Sequence, residues 1–195
     1  MSNIVEAPKQ KLRVAFQGER GAFSEEAALK LLGDEIELVP QRTFAALFDS
    51  LKTGVADYLV APVENSIAGI VEPSVSRIRA GSFDILNELE LQIDQHLIGC
   101  PGAVLVTIEA VQSHPMALAQ CQRFFANHPQ LKSVTADDTA GSVAEIIHRN
   151  DPKLAAIAGR HAAEIYGGEI ILESIQDHTQ NHTRFVLLAT KEQPS

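Results

Sequence analysis

The residues best equipped for chemistry lie near the C-terminus, in Gln180-Asn181-His182-Thr183-Arg184-Phe185, immediately before the apolar run Val186-Leu187-Leu188-Ala189. An amide, an imidazole, a hydroxyl and a guanidinium at the mouth of a buried strand can bind a polar ligand and move a proton. A strand entering from solvent also starts on polar residues for structural reasons alone. Three further clusters share this double character. Glu64-Asn65-Ser66 ends the apolar run Tyr58 to Val63, and reads either as a turn or as a carboxylate, an amide and a hydroxyl facing a cleft. Ser113-His114-Pro115 precedes a helix that carries Gln120. Pro115 suits a first helical turn, so His114 is either a surface group there or, with Ser113, a ligand-facing one. Asp138-Thr139-Ala140-Gly141-Ser142 opens another helix, where Asp138 and Thr139 are good N-caps. The small Ala140 and Gly141 leave backbone N–H groups open to an anion, which the helix dipole favours.

No cluster has metal-ligand spacing, a phosphate-binding loop or a dinucleotide fingerprint, and Gly18-x-x-Gly21 is too short to count. Neither metal nor cofactor is expected. A triad of Ser113, His114 and Asp138 can be drawn, but adjacent Ser and His rarely form the required hydrogen bond, and no nucleophile elbow surrounds the serine. Cys100 and Cys121 are far apart and read as free, buried thiols.

The elements that must hold these groups follow from composition and pattern. With 195 residues, 45% of them hydrophobic, the chain suffices for one sizeable core or two small lobes. Trp is absent and aromatics are 5%, so the core is built from Ala, Leu, Ile and Val. The formal net charge of -9 argues against a nucleic-acid or anionic-membrane partner and for a small molecule or a protein. The N-terminal residues lack a signal-peptide core, and no run approaches the ~20 apolar residues that span a bilayer, so a cytoplasmic placement is expected.

After a polar arm over 1–10, strands are expected at Leu12 to Phe16, Ile36 to Val39 and Tyr58 to Val63. Helices alternate with them, one capped by Ser24 and one entered through Thr43. A helix is expected over Ile67 to Arg79 despite Pro73. Ile85 to Ile98 alternates apolar and polar residues, as a long strand or a strand pair passing between two sheets. The lobe boundary is placed there. The second half repeats the grammar: strands at Val111 to Ser113, Ser133 to Ala136 and Ala155 to Ala158, helices over Met116 to Ala126, Thr139 to His148 and His161 to Tyr166. An extended segment over Ile170 to Ile175 follows. Strands separated by helices imply right-handed crossovers and mostly parallel sheets. Ligands then gather beyond the carboxyl ends of the strands. The expectation is an α/β protein of two lobes, 11–88 plus 180–190 and 89–179, with a site in the cleft between them and a tail over 191–195.

Taken in order, Val14-Ala15-Phe16-Gln17-Gly18, Gly21-Ala22-Phe23-Ser24, Gly54-Val55-Ala56-Asp57-Tyr58, Pro62-Val63-Glu64-Asn65-Ser66 with Gly69, Ser113-His114-Pro115 with Gln120-Cys121, Asp138-Thr139-Ala140-Gly141 and Asn181-His182-Thr183-Arg184-Phe185 resemble the prephenate dehydratases over nearly the whole chain, from about Leu12 to Ala189. The resemblance implies two lobes like those of type II periplasmic binding proteins. It also implies conversion of prephenate to phenylpyruvate, with loss of water and carbon dioxide, in phenylalanine biosynthesis. It assigns the essential hydroxyl to Thr183 and substrate-contacting amides to Asn65 and Gln120, and implies a homodimer or homotetramer. Arg184 is expected to hold the pyruvyl carboxylate or to orient Thr183, with Phe185 beside the ring carboxylate. The ACT regulatory domain usual in the family is not expected within these residues, nor is feedback control by phenylalanine. Two alternatives stay open: arogenate as substrate, and a two-lobed module that binds an aromatic amino acid without chemistry.

Overall fold

A computed structural model describes residues 11–191. The arm expected over 1–10, and the expected tail apart from Lys191, lie outside the described residues. The first lobe runs through β1 (Leu12–Gln17), α1 (Phe23–Leu32), β2 (Ile36–Gln41), α2 (Phe44–Lys52), β3 (Tyr58–Asn65), β4 (Gly69–Ile70), α3 (Glu72–Ala80) and β5 (Phe83–Gln92). The second holds β6 (His96–Gly99), β7 (Ala110–Ser113), α4 (Pro115–Ala119), α5 (Gln122–Asn127), β8 (Lys132–Thr135), α6 (Thr139–Arg149), β9 (Leu154–Ala158), α7 (Arg160–Tyr166) and β10 (Glu169–Leu172). The chain then returns to the first lobe as β11 (His182–Thr190).

The first sheet has the order β2-β1-β3-β11-β5, with β4 paired to β3, and the second β10-β6-β9-β7-β8. Each contains a parallel unit, β2-β1-β3 or β9-β7-β8, extended by antiparallel strands. The interior of a parallel unit is covered on both faces and demands continuous apolar residues. Val14-Ala15-Phe16 and Ala155-Ala156-Ile157-Ala158 meet that demand, and all are fully buried. Pro40, which cannot donate to a ladder, sits on the edge strand β2. Helix α1 covers one face of the first sheet against Phe185 and Leu187, while α2 and α3 cover the other against Val186 and Leu188. In the second lobe α4 and α5 pack on Ala155 and Ile157, and α6 and α7 on Ala156 and Ala158.

Four local expectations are corrected. Ala22, not Ser24, is the N-cap of α1; Ser24 is buried, and the Glu25 carboxylate reaches back to the Gly21 N–H at 2.9 Å. The helix expected from Ile67 starts at Glu72 instead. A proline is tolerated only in the first helical turn, so Pro73 sets the start, and Gly69 supplies the positive φ of 81° that turns the chain back as β4. The helix expected over Met116 to Ala126 breaks at Gln120-Cys121. Asp177 accepts there from the N–H groups of Gln122 (3.0 Å) and Arg123 (2.9 Å), which starts α5 anew. The expected boundary after residue 88 falls inside β5, where Leu89 still pairs with Phe185 and Leu91 with Thr183. The chain leaves the first sheet only after Gln92.

The two crossing segments, 93–95 and 173–181, are joined to each other. Ile93 N–H donates to Asn181 O (2.7 Å), Ile175 N–H to Gln95 O (2.8 Å) and Gln95 N–H to the Gln176 side chain (2.9 Å). The mouth of β11 is thereby fixed where the lobes meet.

Candidate active site

Asn65 and Thr183 are directly paired across β3 and β11. Strand alternation would not by itself bring them to one face. Val63 packs with Ala61 on the α2/α3 side of the sheet, so regular alternation would turn Asn65 to that side also. A bulge intervenes: Arg184 pairs with Glu64 while Phe185 pairs with Pro62, leaving Val63 as the extra residue. The bulge turns Glu64 toward Arg184 and swings Asn65 onto the face of Thr183.

The hydrogen bonds of Asn65 then fix its orientation. Its Oδ1 accepts from the N–H groups of Ile67 (3.0 Å) and Ala68 (2.8 Å), and a backbone N–H can only donate. The amide nitrogen must therefore face β11, where it donates to Thr183 Oγ1 (2.9 Å), Asn181 Oδ1 (2.7 Å) and His182 O (3.1 Å). Asn181, fully buried, is oriented in turn: its oxygen is taken, so its nitrogen donates to Gln120 Oε1 at 3.1 Å. Direction propagates along the chain of amides. Thr183 Oγ1 accepts from Asn65 and keeps its own hydrogen available, and the Gln120 nitrogen ends the chain as a free donor. Ser66 ties the same turn to β11, its hydroxyl donating to Gln180 O (3.2 Å) and accepting from His182 N–H (3.0 Å). Thr183 is buried at 8% exposure, and the strand below it carries the buried Phe185.

Asn65, Ser66, Gln120 and Thr183 are thus assembled, and Asn181, part of the C-terminal motif but assigned no role of its own there, links them. Glu64 and Arg184 are corrections. Arg184 lies on the opposite face from Thr183 and pairs with Glu64 at 3.1 Å and Glu88 at 3.3 Å. The Glu64 hydrogen bond raises the guanidinium pKa further. Adjacent residues of a strand point to opposite faces, so an Arg184 side chain turned this way neither clamps a ligand beside Thr183 nor orients its hydroxyl. Phe185 is also corrected: it packs with Val14, Ala28 and Ile93 in the core. It supports the strand from below.

Ser113 is fully buried and its hydroxyl donates to Ile157 O at 2.6 Å, tying β7 to β9. His114 is exposed and caps α4, its Nδ1 accepting from Met116 N–H at 3.2 Å. Asp138 caps α6 by accepting from the Gly141 N–H, while Thr139 is half-buried and Ala140 fully buried. Burial pushes the Asp138 carboxyl above its ordinary range, helped by Glu19 and Asp137 and opposed by the Gly141 N–H. Asp138 and Gly141 line an interlobe cavity of about 540 Å³ with Gln17, Glu19, Arg42 and Tyr166. A second cavity, about 720 Å³, lies beside Ser66, Arg123 and Gln180. Thr183 lines neither. Cys121, next to Gln120, is a neutral thiol, its pKa pushed up to about 12 by burial and by Asp177. Among the described residues no group of His, Cys, Asp or Glu is placed to hold a metal ion, and no helix is long and apolar enough to cross a membrane.

Residues 14–193 match the family model described as prephenate dehydratase. "Arogenate dehydratase/prephenate dehydratase 1, chloroplastic" of Arabidopsis thaliana is 37% identical over 179 residues, 92% of this chain and 45% of the relative. "Bifunctional chorismate mutase/prephenate dehydratase" of Neisseria gonorrhoeae is 33% identical over 187 residues, 95% of this chain and 52% of the relative. The chain spans about half the length of these curated relatives. The crystal structure of prephenate dehydratase from Arthrobacter aurescens in complex with L-Phe superposes with a TM-score of 0.83 at 28% identity, over 93% of this chain and 61% of that one.

Proposed function

The chain belongs to the prephenate dehydratase family, and we propose that it converts prephenate to phenylpyruvate, with Thr183 donating to the departing hydroxyl. The observation that carries this is the amide chain: Asn65 donates to Thr183 Oγ1 at 2.9 Å, which leaves the threonine hydrogen for a substrate.

Prephenate carries a carboxylate and a pyruvyl arm on one ring carbon and a hydroxyl on the opposite carbon. In the elimination the carbon–carboxylate bond breaks, its electron pair enters the ring, and the far carbon–oxygen bond breaks as the ring becomes aromatic. Aromatisation drives the step, but bare hydroxide is a poor leaving group, since water has a pKa of about 15.7. A donor that strengthens its hydrogen bond as charge develops on the leaving oxygen lowers that barrier, by typically ~10² to 10⁴-fold. Thr183 is that donor, and solvent supplies the proton that completes water. Gln120, whose nitrogen is left free by its bond to Asn181, is the second donor and binds the substrate beside Thr183.

A cation on the departing carboxylate would stabilise the ground state more than the transition state, in which that charge spreads into the ring. The Arg184 geometry supports a site without such a clamp, because Glu64 and Glu88 occupy the guanidinium. Thr139 and Ala140 open α6 in the opposing lobe, and their backbone N–H groups are assigned the pyruvyl end. Ser113, spent on Ile157 O, His114, spent on the α4 cap, and Asp138 and Gly141, which close on each other, are not.

Arogenate differs from prephenate only by an amino group on the side arm, and the Arabidopsis relative is named for both activities. The elimination end is common to both substrates. The deciding experiment measures both in parallel, reading phenylpyruvate by its enol absorbance in alkali and phenylalanine by chromatography. A higher kcat/KM for prephenate is expected; the reverse order transfers the assignment to arogenate. Tight binding of an aromatic amino acid with no product from either substrate would make the chain a binding module.

A further inference from the structure

Glu25 is fully buried, ionisable, and far in sequence from the amide chain around Thr183. It sits in the first turn of α1, yet the group that reaches it from outside its own loop belongs to the other lobe: His161 of α7, whose Nε2 lies 3.3 Å from Glu25 Oε1. Arg20 completes the carboxylate shell at 2.9 and 3.0 Å, and the Gly21 N–H at 2.9 Å. Glu164 lies 3.8 Å from the other ring nitrogen of His161.

Backbone contact flanks this pair on both sides. A Cβ on Gly21 would come within 2.8 Å of Ala162 Cα, and a Cβ on Gly159 within 2.8 Å of the Phe23 ring. The loop before α1 and the start of α7 therefore touch with no room for a side chain, across the gap between lobes. The covalent connections between the lobes, 93–95 and 173–181, lie elsewhere in the chain. Two bodies joined by a crossing pair of segments and touching at a separate point are held by that second contact in one closing angle.

We propose that the Glu25–His161 pair is an interlobe latch, and that both residues act as positioning residues that keep Gln120 of the second lobe in register with Asn65 and Thr183 of the first and with Asn181 of the crossing segment. This rests on the dehydratase reading of the site. A latch across a seam works through charge when one partner is buried: removing the His161 cation leaves the Glu25 carboxylate only Arg20 and the Gly21 N–H of its own loop, so nothing charged holds it to the other lobe. Around Glu25 the charged and titratable groups are Glu19 and Arg20 of its loop, Glu26 of α1, Asp138 at the start of α6, and His161, Glu164 and Tyr166 of α7. The Glu25 hydrogen bond holds the His161 pKa above its ordinary value of 6.5, against the opposing effect of burial. The latch is therefore closed at mildly acidic pH and loosens in alkali.

Nitroxide labels on Asp49→Cys of α2 and His148→Cys of α6, both exposed positions in different lobes, report the interlobe distance; the native Cys100 and Cys121 are buried. Distances are recorded at about pH 6 and about pH 9, on either side of histidine titration, for the labelled background and for His161→Gln, His161→Lys and Glu25→Gln. The background should give one narrow distribution at the lower pH and a second, longer component at the higher. His161→Gln should show the longer component at both. His161→Lys, whose cation survives alkali, should stay narrow at both. Wherever the longer component appears, kcat/KM for prephenate should fall in proportion to the closed population, about tenfold where roughly a tenth of the molecules stay closed. Identical distributions for background, His161→Gln and His161→Lys at both pH values would overturn the latch, whatever Glu25→Gln does to folding. The distance is read without turnover, so an inactive unsubstituted chain refutes the dehydratase reading and leaves the latch tested.

Discussion

Replacing Asn65 by aspartate changes one NH₂ to an oxygen of nearly the same size and reverses the polarity of the amide chain at its origin. The N–H groups of Ile67 and Ala68 keep their acceptor, so the loop has no reason to rearrange. On the other side an acceptor now faces Asn181 Oδ1, formerly at 2.7 Å, and the His182 carbonyl, formerly at 3.1 Å. Asn181 Oδ1, stripped of its donor, costs about 1–3 kcal/mol, whereas the His182 carbonyl keeps the Ser66 N–H at 2.9 Å. Thr183 can relieve the third contact by turning its hydrogen onto the new carboxylate, a charge-assisted bond stronger than the one lost. The expected stability loss is about 1–3 kcal/mol, or roughly 2–12 °C in Tm for a chain of this size. Recapture of the threonine hydrogen removes the donor to the leaving hydroxyl, so kcat should fall by about 10² to 10⁴ with KM little changed. Activity should partly return as pH falls, because protonating the new carboxyl restores a hydrogen that can point at Thr183 Oγ1. The assay is phenylpyruvate formation against pH, with Tm followed by circular dichroism on the same samples. A kcat within a few-fold of the unsubstituted chain, in a variant whose Tm has dropped as expected, would show that the orientation of the Thr183 hydrogen is not set by Asn65.

Arg184→Ala removes a guanidinium from an exposed ion cluster with Glu64 and Glu88; it should cost about 0–1 kcal/mol of stability and leave KM nearly unchanged, whereas a KM raised tenfold or more would restore the arginine as a substrate clamp. Asp138→Asn keeps an N-cap on α6 and removes a carboxyl whose pKa is raised by burial. A raised acid is one whose ionisation works against the fold, at a cost that appears as pH climbs above its ordinary 3.8, so this variant should melt a few degrees higher at neutral pH and no higher below about pH 3. His161→Gln tests the linked pair. Burial opposes ionisation of Glu25, but hydrogen bonds from His161, Gly21 and Arg20 outweigh it and lower the pKa, so its contribution is present above the ordinary 4.5 and lost in acid. The raised His161 contributes fully below 6.5 and loses that contribution as pH rises through its folded value. The Tm difference between the unsubstituted chain and His161→Gln should therefore be greatest between pH 4.5 and 6.5 and shrink in alkali; a difference independent of pH contradicts the charge pairing.

The alternation of strands and helices was legible because glycines and caps punctuate it: Thr43 accepts from Ala46 N–H, and Gly54 and Gly167 carry positive φ where their helices end. Asn65 and Thr183 were legible as polar groups at strand mouths, Gln120 as an amide on the helix after Ser113-His114-Pro115, and all three in the family motifs. Their neighbours were not. One extra residue at Val63 inverts which of Glu64 and Asn65 faces Thr183, and a bulge of that kind leaves no mark on the apolar pattern. The direction of Arg184 depends likewise on Glu88 of β5, 96 residues earlier in the chain. The break between α4 and α5 is made by Asp177, 55 residues beyond the N–H it caps. Pro73 carried its own signal, since a proline belongs in the first turn, and a helix read from it would have started correctly. The burial of Glu25 leaves no local mark, because nothing in its neighbourhood distinguishes a first-turn acid that solvent covers from one covered by another lobe.

The hydroxyl of Thr183 is the centre of the account, and an isosteric pair isolates it. Thr183→Val keeps the shape of the side chain and Thr183→Ser keeps the donor, so turnover of saturating prephenate by these variants, beside the unsubstituted chain, asks only about the hydrogen. The expected result is loss of about 10² to 10⁴ in kcat for the valine variant with substantial activity retained by serine. Equal turnover by the valine variant and the unsubstituted chain would contradict it.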